Sequence, residues 1–234
     1  MPAKLPPLYI IHGWAYSVAP WQRTLELLKK RGLEVKMLEV PGLTAPSSKV
    51  WTIADYVTWA KQELPEQAIA LGHSNGGRIL LNLCASQPQY LKHLILLDSA
   101  GVYEASRRRD LLRKLSKLLA PAKRLPLLRK LFHKLIGASD YARAPENMKQ
   151  TLANMLDSDK QLDLTKVTTP VSILWGEQDT VTPPRQAIVL HTSLAHSTLR
   201  FFPTWTHAPY IADPESLAQA IYETMLQLTS KEAQ

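Results

Sequence analysis

Six short apolar runs recur along the chain, near 8–12, 34–40, 67–73, 92–98, 169–175 and 197–202. Leu8-Tyr9-Ile10-Ile11, Ala68-Ile69-Ala70-Leu71 and Leu94-Ile95-Leu96-Leu97 show no alternation with polar residues. That is the pattern of strands buried on both faces. Segments near 19–31, 51–64, 76–87, 184–193 and 214–229 lie between and after these runs and read as helices. In the third, Ile79, Leu80, Leu83 and Cys84 recur at helical spacing. Strand alternating with helix predicts an α/β protein with a mostly parallel sheet of about six strands, helices covering both faces. One interval breaks the alternation: 99–168 contains no strand-like run. There is no internal repeat.

The candidate chemistry sits at the ends of these runs. Directly after Ala68–Leu71 come Gly72-His73-Ser74-Asn75-Gly76-Gly77. A serine between glycines, where a strand passes into a helix, is the nucleophile-elbow pattern. The turn pushes the serine hydroxyl clear of the backbone at the cost of strained φ/ψ, and bulky flanking residues would clash. The helix N-terminus behind it favours developing negative charge. A serine needs a base, and the base needs an orienting group. Downstream, Pro170–Trp175 reads as a strand followed by Gly176-Glu177-Gln178-Asp179-Thr180, and Thr198–Phe202 as a strand leading to His207-Ala208-Pro209. Asp179 and His207 therefore stand in the order and at the strand ends that this chemistry uses. Asp98, after Leu94–Leu97, and Glu177 are rival acids. His191 and His196 fall before the last strand, which favours His207. His12 and His73 read as buttresses of their loops, His93 and His133 as surface residues. Upstream, Leu8–Ile11 ends in His12-Gly13-Trp14, where the Trp14 amide would join that of Asn75 as an oxyanion hole.

Through His12-Gly13-Trp14, Gly72–Gly77, Trp175-Gly176-Glu177-Gln178-Asp179 and His207-Ala208-Pro209, the chain resembles the α/β-hydrolase superfamily, in particular its small cap-bearing serine carboxylesterases. The resemblance implies Ser74 as nucleophile, His207 as base and Asp179 as its orienting acid, acting on carboxylic esters through an acyl-enzyme without a cofactor or metal. Gly13, Tyr16, His73, Trp205 and Tyr210 are expected near the substrate. Thioester, lactone, amide and C–C bond hydrolysis run on the same triad, and some relatives of the fold are non-turnover small-molecule receptors. Two features depart from the family. Only eleven residues precede His12, so the sheet should begin at what is normally its third strand. The loop that often reads Asp-x-Pro-Gly-x-Gly-x-Ser is here Glu39-Val40-Pro41-Gly42-Leu43-Thr44-Ala45-Pro46-Ser47.

The long interval changes the picture of charge. Residues 104–134 hold eleven Lys or Arg against Glu104 and Asp110, a net +9 in a chain of net +8, so the remainder is about −1. Leu111, Leu112, Leu115, Leu118 and Leu119, then Leu127, Leu128, Leu131, Phe132 and Leu135, give basic amphipathic helices. The expected organisation is a catalytic core of 1–103 and 161–234 with a basic helical cap at 104–160. The cap's leucines seat it on the core, or its cations meet an anionic membrane surface, or they steer acidic substrates. Only Tyr103 and Phe132 interleave with the cations, which argues against nucleic acid. No apolar run reaches transmembrane length, and Met1–Pro7 has no apolar leader core, so a cytoplasmic location is expected. The single cysteine, Cys84, falls in an apolar pattern and reads as a buried core residue.

Overall fold

The computed structural model describes residues 5–103 and 144–232. The basic helices expected between 104 and 134, with His133, lie outside the described residues. Six strands form one sheet: β1 (Leu8–Ile11), β2 (Val35–Met37), β3 (Ala68–His73), β4 (Leu91–Leu97), β5 (Val171–Gly176) and β6 (Ser197–Phe202). Their order is β2-β1-β3-β4-β5-β6, and every pairing is parallel. All strand C-termini therefore open onto one edge, and all the candidate loops leave from it.

Among the described residues the helices are α1 (Gln22–Lys30), α2 (Ile53–Glu63), α3 (Asn75–Ser86), α4 (Glu146–Ser158), α5 (Arg185–Ser193), α6 (Pro209–Ala212) and α7 (Pro214–Glu232). A single 3-10 turn, Ala19–Trp21, leads into α1. Thr52 and Asp55 start α2 with a reciprocal capping box. Of the seven, α4 lies inside the strand-free interval.

The strands read as continuous apolar runs because each alternate residue feeds a different core. Tyr9, Ile11, Ala70, Leu94, Leu96, Ile173 and Trp175 pack with α2, α3, α4 and α5. Leu8, Ile10, Ile69, Leu71, Ile95, Leu97 and Leu174 pack with α1 and α7. Burying both faces leaves no polar register to read, and it makes the sheet a rigid support for its loops. Cys84 is fully buried, as its pattern suggests. His93 corrects an expectation. It is only 7% exposed, and its Nε2 lies 2.9 Å from Ser172 Oγ on the neighbouring strand. Its position in the middle of a central strand overrides its polarity. Among the described residues, no helix is long and apolar enough to cross a membrane.

Candidate active site

The turn from β3 to α3 is built on contacts that admit no side chain. A Cβ on Gly76 would overlap the Ile11 carbonyl oxygen, and one on Gly77 would overlap Ser99 Oγ. At Gly72 it would sit 2.5 Å from Gly77 Cα. Ser74, at the apex, has φ +51 and ψ −118, a region in which a non-glycine residue costs about 1–3 kcal/mol. The surroundings hold it there: its amide donates to Leu97 O, and its carbonyl accepts from Gly77, Arg78 and Ala100.

From this apex Ser74 Oγ lies 2.9 Å from His207 Nε2. On the other side of the ring, His207 Nδ1 lies 2.8 Å from Asp179 Oδ2. With Nδ1 donating to the carboxylate, Nε2 is left as the acceptor facing the serine. Asp179 is 3% exposed. Its Oδ1 accepts from the Val181 and Thr182 amides at 2.7 and 2.9 Å, and its Oδ2 accepts from Thr182 Oγ1 at 2.6 Å. Burial pushes this carboxyl up, but the bonds from His207 and Thr182 outweigh it and hold it below the ordinary carboxylate value.

Asp98 has a different environment. Its Oδ1 accepts from the Gly176 amide at 2.8 Å, its Oδ2 is buried without a partner, and it has no exposed surface. Burial pushes it up to about 8. Asp179, then, and not Asp98 or Glu177, is brought against His207.

His73 is almost fully buried, and its Nε2 donates to the His207 carbonyl at 2.7 Å. Burial, and then the neighbouring His207, push its imidazole down to about 3, so it stays neutral. Its ring meets Trp21 and Tyr210 edge-on, and Tyr210 stacks on Trp21 at 4.2 Å. His12 donates through Nδ1 to Gly13 O, and its Nε2 accepts from Thr44 Oγ1, which also receives the Val40 amide. This ties the unusual 39–47 loop to the end of β1. Both histidines therefore buttress loops.

Gly13 lies against the serine: a Cβ there would be 2.9 Å from Ser74 Cβ. The Trp14 and Asn75 amides meet no acceptor among the described residues. Tyr16 is exposed and Tyr210 half-buried. Trp205 does not match its expected place near a substrate. It is fully buried, stacked on Phe202 at 3.6 Å, and its Nε1 donates to Ser216 Oγ. Its position on the turn after β6 sends it into the α7 core, where its carbonyl accepts from Gln178 N.

Three residues that sequence reading missed complete the surroundings. Thr182 carries the Asp179 carboxylate. Arg78, buried in α3, donates through Nε and Nη2 to the Asp159 carboxylate at 2.6 and 2.8 Å, and through Nη1 to Asn75 Oδ1. Only Thr182 left a local signal, a hydroxyl three residues after a turn aspartate.

Comparison with known proteins agrees with this fold. Residues 6–117 match the family described as alpha/beta hydrolase fold. A pimeloyl-acyl-carrier-protein methyl ester esterase of Nitrosomonas europaea is 26% identical over 90% of this chain and 92% of its own length. One of the same description from Neisseria meningitidis serogroup B is also 26% identical, over 97% and 95%. Among solved structures, an alpha/beta hydrolase from a lagoon-sediment metagenome superposes with a TM-score of 0.68, at 23% identity, over 96% of this chain and 92% of that one. A bacterial membrane phospholipase A gives 0.68 at 23%, over 96% and 79%. With its parallel sheet and the strained serine at the end of β3, the chain has the α/β-hydrolase fold.

Proposed function

We propose that the protein hydrolyses carboxylic esters through an acyl-enzyme on Ser74. The observation that carries this reading is the unbroken relay from Ser74 Oγ to His207 Nε2 and from His207 Nδ1 to Asp179, at 2.9 and 2.8 Å. Ser74 Oγ attacks the ester carbonyl carbon as its proton passes to His207 Nε2. Asp179 holds the ring in the required tautomer and supports the imidazolium. The Trp14 and Asn75 amides receive the oxyanion; donors of this kind are each worth about 3–4 kcal/mol of barrier elsewhere. His207 then protonates the departing alkoxide. A water molecule, deprotonated by the same ring, releases the acid and restores Ser74.

The relatives supply a substrate class. They are named for a methyl ester on an acyl chain borne by a carrier protein. We infer a methyl or other small alkyl ester of a carrier-bound acyl chain here, with the cations of 104–134, in a cap spanning 104–160, drawing in an acidic substrate. The test is turnover of p-nitrophenyl esters of increasing acyl length and of methyl esters, free and carrier-bound, by the protein and by Ser74→Ala. Loss of all turnover in a folded Ser74→Ala protein supports the serine mechanism, and equal turnover in both refutes it. Carrier-bound ester turned over no better than free ester refutes the substrate class alone.

A further inference from the structure

The first turn of α3 has an unusual problem. Asn75 opens it, and the next two residues are glycines that the packing requires. Glycine leaves the backbone free to move and weakens a helix relative to alanine. Among the first three residues of α3, only Asn75 has a side chain with which to fix the turn. That side chain is buried, and its Oδ1 accepts from Arg78 Nη1. Arginine has no acceptor, so the amide oxygen must face it.

Arg78 is itself fixed from outside the helix. Its Nε and Nη2 donate to the two oxygens of Asp159, with both side chains under 10% exposed. Asp159 directly follows α4, and α4 is anchored along its length. Asn147 Nδ2 reaches Ser47 O and Lys49 O, Thr151 Oγ1 accepts from Trp51 N, and Asn154 Nδ2 donates to Trp51 O. Met148 fills the space beside Gly42, where a Cβ would collide with its sulfur. A buried ion pair is a weak source of stability, since apolar replacements of equal volume are often neutral or better. Its value here lies in what the third guanidinium nitrogen holds.

We propose that Arg78 and Asp159 are positioning residues: through the Asn75 side chain they fix the Asn75 amide in the geometry that receives the oxyanion, and they tie that geometry to α4. This rests on the serine-hydrolase reading of Ser74. The chain is Asp159 to Arg78 to Asn75, with no substrate contact by the first two.

The experiment compares Asn75→Ala, Asn75→Asp and Asp159→Asn with the full-length protein. It measures kcat and KM on a p-nitrophenyl ester, the rate at which an alkyl fluorophosphonate phosphonylates Ser74, and Tm. In that labelling Ser74 Oγ bonds to phosphorus, fluoride leaves, the serine proton passes to His207, and the phosphoryl oxygen occupies the oxyanion site. Asn75→Ala keeps the backbone amide and the ion pair but frees the turn. Its kcat and labelling rate should fall about 10- to 100-fold, short of the loss of an oxyanion donor outright, with KM little changed and Tm lowered because the buried Arg78 Nη1 loses its acceptor. Asn75→Asp still accepts from Arg78 and should recover most of that loss. Asp159→Asn should lower kcat similarly and Tm as well. Wild-type kcat and labelling in Asn75→Ala, or a loss confined to KM, overturns the proposal while leaving the Ser74 reading intact. A wild-type protein that neither turns over nor labels removes the Ser74 reading, and the proposal with it.

Discussion

Asp98→Asn should change how stability depends on pH, and the structure fixes both sign and size. The carboxyl has no exposed surface and one hydrogen bond, and burial, with Asp179 adding to it, raises it from 3.8 to about 8. Below pH 3.8 both folded and unfolded chains carry the proton, and the group is neutral in the balance. Between 3.8 and 8 the unfolded chain releases a proton that the folded chain keeps. Folding then loses about 1.4 kcal/mol per pH unit, and the loss levels off above 8. His73 acts with the opposite sign. Its folded value near 3 makes stability rise with pH until the unfolded imidazole is neutral at about 6.5. His12 is also lowered by burial and acts the same way. The two effects oppose each other from about 4 to 6.5, and above 6.5 the Asp98 decline stands without opposition from the histidines.

Between pH 6.5 and 8 the wild type should thus lose about 2 kcal/mol to Asp98. In a chain of this size that corresponds to a Tm fall of about 4–8 °C. Asparagine keeps an oxygen for the Gly176 amide and never ionises. It also suits the backbone, because Asp98 has φ +43, a region where asparagine is enriched. Thermal and denaturant unfolding of both proteins at pH 5, 6.5 and 8 measures the difference, and groups common to both cancel. The gap between the two proteins should widen steadily toward pH 8 in favour of the variant. Parallel profiles would refute the reasoning, because the carboxyl would then already be ionised in the folded state.

The same pair of acids separates structure from chemistry. Asp179→Asn should lower kcat by about 10⁴, through loss of the correct tautomer at His207, whereas Asp98→Asn should stay within about tenfold of wild type; steady-state kinetics decide. Thr182→Val removes the 2.6 Å donor to the Asp179 carboxylate. It should cost about 1.5–3 kcal/mol in denaturant unfolding at pH 7, as expected for a hydrogen bond to a charged group. Because that bond lowers the Asp179 pKa, the cost should shrink on acidification as the carboxylate becomes protonated.

What the sequence disclosed and what it hid follow from the range of the interactions involved. Strands buried on both faces announce themselves as apolar runs, and β1, β3, β4 and β5 were legible for that reason, whereas the two edge strands, β2 and β6, are only partly buried. The elbow was legible because its requirement is local: a strained serine with glycines where backbone meets backbone. His93 was misread because polarity was weighed over position. His93 lies directly before the unbroken apolar run Leu94–Leu97 of a central strand, and that position outweighs its polarity. Trp205 was misread in the opposite sense: proximity to His207 in the chain suggested a shared pocket, but the two residues leave the same turn toward different layers. Arg78 and Asp159 are 81 residues apart, and nothing local to either marks them as partners. Buried charge is where sequence reading is weakest, because the same arginine on a helix is a solvated cation or the anchor of a site depending on one distant carboxylate. The elbow shows both kinds of information at once. Its shape is written in six consecutive residues, whereas the rigidity of its first turn depends on the side chain of Asp159, just past the end of α4.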